Sequence, residues 1–299
     1  MASRSTKPRA GDVVMDYVRA QVDQIRVGDP LVRVDAPGGV HDMRVATRRL
    51  RSTLKTFRPV FRSEVVRPLR RELAWLAGRL GPVRDAEVLR ARLVAAVDAQ
   101  APGAVDVADL ARRIDSETAQ SHLAAHDQLV AALDSERYRR LVTALGALAA
   151  APALSRKARR PARRLLTRRT ARTYAALDDL VAATRRTTGT DRERARHEVR
   201  KGAKRARYAG EALAAHGGRP ATRFVAAMKA LQQDLGEHRD STVARAHLDD
   251  LAGRETSPAA AYAYGRLHAM EQVRGERALE HFERSWRAAG TTSLHRWLR

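Results

Sequence analysis

Cysteine is absent from the 299-residue chain, which excludes disulfides and thiolate metal sites and agrees with a reducing compartment. No stretch approaches the roughly 20 apolar residues that a membrane-spanning helix needs. The opening segment, MASRSTKPRAGD, lacks the apolar core of a secretory signal. We therefore expect a soluble, cytoplasmic protein with no membrane partner.

Acidic residues are scarce relative to basic ones. The chain has 34 Asp and Glu against 57 Lys and Arg, which gives a formal net charge of +23. A field of this sign attracts polyanions such as nucleic acids and phosphate polymers. Aromatic residues make up only 4% of the chain, so there are few rings on which nucleic-acid bases could stack.

The usual motifs of nucleotide and acyl chemistry are also missing. The chain contains no G-x-x-x-x-G-K-[ST] loop, no glycine-rich dinucleotide loop and no G-x-S-x-G elbow. Together with the cationic composition, this favours a binding protein over an enzyme. We predict no cofactor and no metal.

One segment, Val40 to Phe57, carries cations at a repeated spacing. Successive members are three, four, three and four residues apart, which places them along one face of a helix. They are His41, Arg44, Arg48, Arg51 and Lys55. Like charges at this spacing repel by a few tenths of a kcal/mol per pair, so the stripe does not support the fold. We infer that it binds an anion.

The same pattern recurs in the second half of the chain. Aligning His197 with His41 places Arg200 on Arg44 and Lys204 on Arg48. The aligned segments contain further basic residues, which are Arg49 in the first copy and Lys201, Arg205 and Arg207 in the second. A duplicated unit with pseudo-twofold symmetry would let two such faces line one site.

A second motif follows each stripe. LAGRLGPVRD ends in Arg84 and Asp85, and LQQDLGEHRD ends in Arg239 and Asp240. We interpret the two aspartates as carboxylates that orient neighbouring arginines. A pair of acid/base carboxylates is the alternative, but each half supplies a single acid beside an arginine.

These motifs resemble the CHAD family, the conserved-histidine α-helical domains. The signature H-x-x-R-V-x-x-R-R-L-R is complete from His41, and the resemblance extends from about Asp12 to the C-terminal helix. The echo departs from it, with Lys201 for the valine and Ala206 for the leucine. The resemblance implies two helical bundles around a basic groove or pore that binds inorganic polyphosphate, with no established catalysis.

The chain shows no alternating β pattern, so we expect an all-α fold. We predict a disordered basic tail at 1–11, a first bundle at 12–152 and a second at 153–299, divided near Pro152. Breaks are expected at Gly28-Asp29-Pro30, Gly81-Pro82, Pro102-Gly103, Gly217-Gly218, Gly236 and Gly253.

The densest basic run lies at 155–174, where Lys157, Arg160, Arg164, Arg168 and Arg172 follow helical spacing. The bland interpretation is a solvated helix face. Against it, no acidic residue occurs before Asp178 to pair with these arginines. We therefore interpret the run as a further anion-facing helix. The polyphosphate contacts predicted from all three segments are His41, Arg44, Arg48, Arg49, Arg51, Lys55, Arg84, Arg160, Arg164, Arg168, His197, Arg200, Lys201, Lys204, Arg205, Arg207 and Arg239.

Histidines invite other interpretations. His41 and His197 could donate from neutral rings and would add charge on protonation, strengthening anion binding towards pH 6. Nucleophilic use needs an orienting base, and neither adjacent acid, Asp42 or Glu198, points the right way. His122 and His126 have the i,i+4 spacing of a metal pair but no evident third ligand.

Nucleic acid is the main alternative partner, since charge alone does not distinguish DNA, RNA and polyphosphate. Weak nucleic-acid binding through charge therefore stays open. A structural alternative has the stripes facing the acidic patch of a protein partner, and the sequence identifies no such partner. Association with polyphosphate granules and regulation of polymer turnover are both compatible with the sequence.

Overall fold

A computed structural model describes residues 8–99 and 107–298. Within these ranges, all regular secondary structure longer than an isolated backbone bridge is helical. The expected all-α fold is confirmed. Two isolated backbone bridges, Arg9 with Pro161 and Phe61 with Leu154, are the β-type pairings among the described residues. The helices are α1 (Ala10–Arg33), α2 (Gly39–Thr56), α3 (Ser63–Asp98), α4 (Val107–Asp134), α5 (Glu136–Ala150), α6 (Ala162–Thr184), α7 (Gly189–Glu211), α8 (Ala214–Arg254), α9 (Pro258–Ala289) and α10 (Thr292–His295).

Helix α1 starts before the predicted position and continues past the predicted break. It begins at Ala10, which is buried and donates its backbone N–H to the carbonyl oxygen of Arg160 at 2.8 Å. The break expected at Gly28-Asp29-Pro30 is wrong, because the helix continues to Arg33. Gly28 serves close packing instead: a Cβ there would lie 2.9 Å from the Cβ of Met43 on α2.

Helix α3 runs through the stop predicted at Gly81-Pro82, and that prediction is wrong. Pro82 removes one backbone hydrogen bond. Leu80 and Val83 on either side of it are fully buried in the hydrophobic core, and this packing holds the helix in register. The uninterrupted 36-residue helix can therefore reach from the first half of the molecule to the second.

Glycines in α8 have two different roles. At Gly218, φ is 59° and ψ is −156°, so the break predicted at Gly217-Gly218 is present as a kink. The turn predicted at Gly236 is wrong, because this residue is buried within the helix. Near Gly253 the helix ends at Arg254, as expected.

The basic run at 155–174 is not one helix. A short 3-10 helix covers Arg156–Arg159, and Arg160 is extended, with φ −70° and ψ 152°. Pro161 disfavours helical geometry in the residue before it, so α6 begins only at Ala162. The prediction that Lys157 and Arg160 share a helical stripe with Arg164 is therefore wrong.

Three hydrophobic clusters form the core. The first joins α1, α2, α3 and α5 with the start of α6, and the second lies among α6 to α9 and the C-terminal segment. The third packs the end of α3 and the start of α4 against the end of α8 and the start of α9. Since Ala158 and Leu166 belong to the first cluster, the chain passes 152 without leaving that core. The bundle boundary and the pseudo-twofold relation stay predictions.

Some predictions concern residues outside the ranges 8–99 and 107–298. Residues 1–7 of the basic tail predicted at 1–11 lie there, as does the break at Pro102-Gly103. The end of the predicted tail is wrong, because Arg9 forms a backbone bridge with Pro161 and α1 begins at Ala10. Within the described ranges, none of the helices has the length and apolarity that crossing a membrane requires.

The arrangement of helices brings the two stripe helices together. Helix α2 packs against α1, α3 and α7, and α7 packs against α6, α8 and α2. The cationic faces predicted separately for α2 and α7 therefore meet at one place.

Candidate polyanion-binding site

The site is built from two cations of each stripe helix. Arg44 and Arg48 come from α2, and Arg200 and Lys204 come from α7. We refer to these four residues as the four-cation cluster. Arg44 and Arg48 act electrostatically on Lys204 across the α2–α7 contact, and Arg200 acts on it from the same helix. The structure thus brings together residues that lie about 150 positions apart in the sequence.

Lys204 is the most enclosed member of the cluster, with only 7% of its surface exposed. Burial, followed by repulsion from Arg48, Arg200 and Arg44, lowers its pKa from 10.5 to about 6. Within the described residues, no hydrogen bond or ion pair holds its ammonium group. At this burial and beside three arginines, the ammonium form of Lys204 is disfavoured.

Arg44 and Arg200 have closely similar surroundings. Burial lowers the pKa of each guanidinium, and neighbouring cations add to the effect. The Nε atom of each is buried and has no hydrogen-bond partner among the described residues. Unsatisfied buried donors in the two halves are consistent with a site whose acceptors come from a bound anion.

The absence of a side chain at Gly236 lets Arg200 lie close to α8. A Cβ on Gly236 would lie 3.4 Å from Nη2 and 3.5 Å from Nε of Arg200. The guanidinium therefore lies directly against the backbone of α8. The residue interpreted as a turn from sequence is instead a packing position of the site.

The two motif aspartates lie beside the cluster arginines. An Nη2 atom of Arg44 lies 3.4 Å from a carboxylate oxygen of Asp85, whose side chain is 70% exposed. Asp240 is half-buried; burial raises the pKa of its carboxyl, and Arg200 opposes the rise. Each acid therefore offsets part of the charge of one arginine, in keeping with an orienting role.

His41 and His197 lie at the edges of the cluster. Burial lowers the pKa of both rings; Arg84 is the next cause for His41, and Lys201 and Arg239 are the next causes for His197. Within the described residues, neither ring is within 4 Å of a carboxylate oxygen. No base is therefore positioned to make either histidine a nucleophile.

A second group of cations continues from the cluster along α2. Arg51 reaches the surface, but partial burial of its guanidinium lowers its pKa, and Arg48 and Arg70 add to this effect. The pKa of Lys55 is lowered by burial and then by Arg205, Arg70 and Arg51. Arg70 on α3 was not predicted, and its Nε is buried without a partner among the described residues. Arg67, Arg70 and Arg71 have i,i+3 and i,i+4 spacing, but the spacing does not continue along α3, so the pattern did not single Arg70 out.

Arg49 and Arg207 face elsewhere. Arg49 Nε donates to Glu211 at 2.9 Å and Arg207 Nε donates to the same carboxylate at 2.7 Å. The Tyr17 hydroxyl donates to it at 2.8 Å. This network ties α1, α2 and α7 together, so we leave both arginines out of the anion-facing set. The i,i+4 spacing of Arg207 and Glu211 is the signal that could have indicated it.

Other predicted contacts lie at the margin. Lys201 pairs with Glu198 at 2.5 Å and Arg84 pairs with Glu87 at 2.8 Å, while Arg239 is exposed beside His197. Arg205 is half-buried near Lys55. These cations adjoin the cluster, and two of them already have acidic partners.

The arginines predicted from the basic run lie on α6 and in the segment just before it. Arg160, Arg164 and Arg168 are exposed. The electrostatic interactions described on α6 connect Arg169 with Arg172, Arg58 and Arg168, and they do not extend to the four-cation cluster. None of the three predicted contacts is among the groups that act most strongly on Arg44, Arg200 or Lys204.

The histidine pair considered for metal binding is otherwise engaged. His122 Nε2 lies 2.8 Å from a carboxylate oxygen of Asp35, and His126 Nε2 lies 2.7 Å from the carbonyl oxygen of Val32. Both contacts attach α4 to the end of α1. No group of three potential ligands occurs in the described part of the chain.

The fold and the site together define an all-α protein in which two cationic helix faces meet and enclose a lysine. The family model for the CHAD domain matches residues 16–249. The chain therefore belongs to the CHAD family, as the motifs indicated.

Relatives and solved structures agree with this assignment. Two uncharacterized proteins from two strains of Mycobacterium tuberculosis are 34% identical over 277 residues, which cover 92% of this chain and 53% of each relative. The chain thus spans about half the length of these relatives. PptA from Streptomyces chartreusis superimposes with a TM-score of 0.77 at 25% identity, covering 93% of this chain and 99% of that one. The CHAD domain from the plant Ricinus communis has the same fold, with a TM-score of 0.65 at 24% identity, covering 98% and 92%.

Proposed function

We propose that the protein binds inorganic polyphosphate, with the four-cation cluster as the centre of the site. The observation that carries this proposal is the crowding of Arg44, Arg48, Arg200 and Lys204, with Lys204 almost fully buried. Such an arrangement opposes folding, so it needs a compensating role. A densely charged anion supplies one.

The chemistry of the cluster suits a bare phosphate chain. Arginine presents five N–H donors in a planar fork that can grip phosphate oxygens in pairs. Arg44 and Arg200 each hold one buried Nε donor that lacks a partner among the described residues. Two facing stripes also double the density of cations along the path, which one helix alone provides only every 5 Å or so.

A polymer path beyond the cluster is part of the proposal. Arg51, Lys55, Arg70 and Arg205 interact with one another next to the cluster and continue its cationic surface. His41 and His197 border it at the other end of the stripes. We propose that the α6 arginines contribute only to the overall attractive field.

Nucleic acid is a weaker candidate for the same surface. The rings near the cluster are few, and Tyr208, the aromatic residue closest in sequence to Lys204 and Arg207, is buried. Bases would therefore find little to stack on, while a chain without bases loses nothing. A binding module of this kind suits attachment to polyphosphate granules or control of polymer turnover, and we propose no catalytic step.

The test replaces the four residues of the cluster at once. We expect the variant Arg44→Gln, Arg48→Gln, Arg200→Gln, Lys204→Met to lose at least tenfold in affinity for long-chain polyphosphate, since each lost charged hydrogen bond contributes about 1.5–3 kcal/mol. Helicity should be unchanged, because the variant removes repulsion. Binding is measured by titration calorimetry at physiological salt, and folding by circular dichroism.

A matched control on α6 separates a built site from a general cationic surface. Arg163→Gln, Arg164→Gln, Arg168→Gln and Arg172→Gln replace the same number of basic residues at exposed positions. This control should keep most of the affinity. Equal losses in the two variants would show that the position of the charges is irrelevant, and the proposed site would then be rejected.

A further inference from the structure

Lys204 differs from its neighbours in being able to lose its charge. It faces Arg44 and Arg48 from α2 and Arg200 from its own helix, and the acid that acts on it among the described residues is Asp240 from α8. Helix α6 also packs on α7, but none of its charged groups is among those that act most strongly on Lys204. The local balance is therefore three arginines against one partly buried carboxyl.

Arginine cannot relieve this crowding, because a guanidinium stays protonated in proteins. Lysine can relieve it by releasing a proton to solvent. The neutral amine is also far less costly to enclose than an ammonium group at 7% exposure. Lys204 is thus the group in the cluster whose charge state depends on what occupies the site.

We propose that Lys204 is uncharged in the empty site and takes up one proton from solvent when a phosphate chain binds. The inference rests on the proposed function and deepens it. The proton adds to the amine lone pair at Nζ, which gives an ammonium with three N–H donors next to the phosphate oxygens. Binding therefore changes the cluster from three cations to four.

This coupling favours ligands of high charge density. A single inorganic phosphate ion brings little negative charge to offset the three arginines that hold Lys204 neutral. A polymer places several anionic groups along the cluster at once and stabilises the ammonium form. The site should therefore discriminate between polyphosphate and monomeric phosphate by more than the number of contacts.

Proton uptake can be measured directly. The wild-type protein is titrated with long-chain polyphosphate at pH 8 in Tris and in Hepes, whose ionisation heats differ, and the difference in observed heat gives the number of protons bound per site. We expect close to one proton for wild type. We expect close to zero for Lys204→Arg, which keeps a permanent cation and so keeps binding. Inorganic phosphate should give weak binding with little uptake.

The variant Lys229→Arg is the matched control, because Lys229 is exposed on α8, lies outside the four-cation cluster and undergoes the same chemical change. It should keep the uptake of wild type. Binding by wild type without proton uptake would overturn the inference while leaving the proposed function intact. Uptake that persists in Lys204→Arg would also overturn it. No binding of polyphosphate at all would overturn the proposed function, and the inference with it.

Discussion

Replacing Lys204 by methionine should make the folded protein more stable, and the gain should depend on pH. Methionine has a similar length but no charge to bury or to be repelled by Arg44, Arg48 and Arg200. In the unfolded chain the pKa of Lys204 is its ordinary 10.5, and in the folded protein it is about 6. Between these values the unfolded state binds one proton more than the folded state, so the stability of wild type rises with pH.

The size of the effect follows from the pKa difference, at about 1.36 kcal/mol for each pKa unit. A pH of 7 is 3.5 units below the pKa of 10.5 that Lys204 has in the unfolded chain. Folding at pH 7 must therefore remove the proton from Lys204, which costs roughly 5 kcal/mol. At pH 9 the same step costs roughly 2 kcal/mol. The advantage of Lys204→Met over wild type should therefore shrink by about 3 kcal/mol between pH 7 and pH 9.

Urea unfolding followed by circular dichroism at 222 nm measures this difference at the two pH values. Lys229→Met is the control, since Lys229 is exposed on α8 and the chemical change is the same. Its effect should stay within about 0.5 kcal/mol at both pH values. The reasoning is refuted if Lys204→Met destabilises the protein, or if its advantage is equal at pH 7 and pH 9.

Three further predictions concern the surroundings of the cluster. Glu211→Gln should lower the free energy of unfolding by about 3 kcal/mol or more, because it leaves Arg49 and Arg207 without their carboxylate. The control Glu276→Gln changes an exposed residue and should have little effect, so equal effects of the two variants in urea unfolding would contradict the prediction. Gly28→Ala should lower the free energy of unfolding by about 1–3 kcal/mol, because the new Cβ would lie 2.9 Å from the Cβ of Met43. Gly78→Ala has open space around it and should be neutral or stabilising, and an equally neutral Gly28→Ala would show that α1 and α2 do not pack so closely. In the Lys204→Arg variant, affinity for polyphosphate should rise as the pH falls below 6.5, because the rings of His41 and His197 gain charge. Adding His41→Gln and His197→Gln should flatten this rise, and an unchanged calorimetric pH profile would remove the histidines from the site.

Much of the four-cation cluster could be predicted from the sequence, because the spacing of Arg44 and Arg48, and of Arg200 and Lys204, is a local property of a helix. The repeat of that spacing indicated two faces, and the fold places them against each other. Arg70 could not be found in this way, since it joins the site from α3 as a single residue. Its role depends on tertiary packing alone.

The wrong predictions have the same origin. Glycine and proline at Gly28, Gly81-Pro82 and Gly236 suggest breaks when only neighbours in sequence are considered. In the folded chain, Gly28 and Gly236 instead let Met43 and Arg200 approach a helix closely, and buried neighbours carry α3 past Pro82. Arg49 illustrates the same limit, because its carboxylate partner, Glu211, lies 162 positions away in the sequence.

The central claim is that the cluster recognises a bare phosphate chain, and a competition measurement tests it most directly. The purified protein is titrated calorimetrically with long-chain polyphosphate, duplex DNA and RNA at equal phosphate concentration and physiological salt. We predict that polyphosphate binds at least tenfold more tightly than either nucleic acid, a difference of about 1.4 kcal/mol. Equal affinity for all three polymers would contradict the claim and reduce the cluster to a general cationic surface.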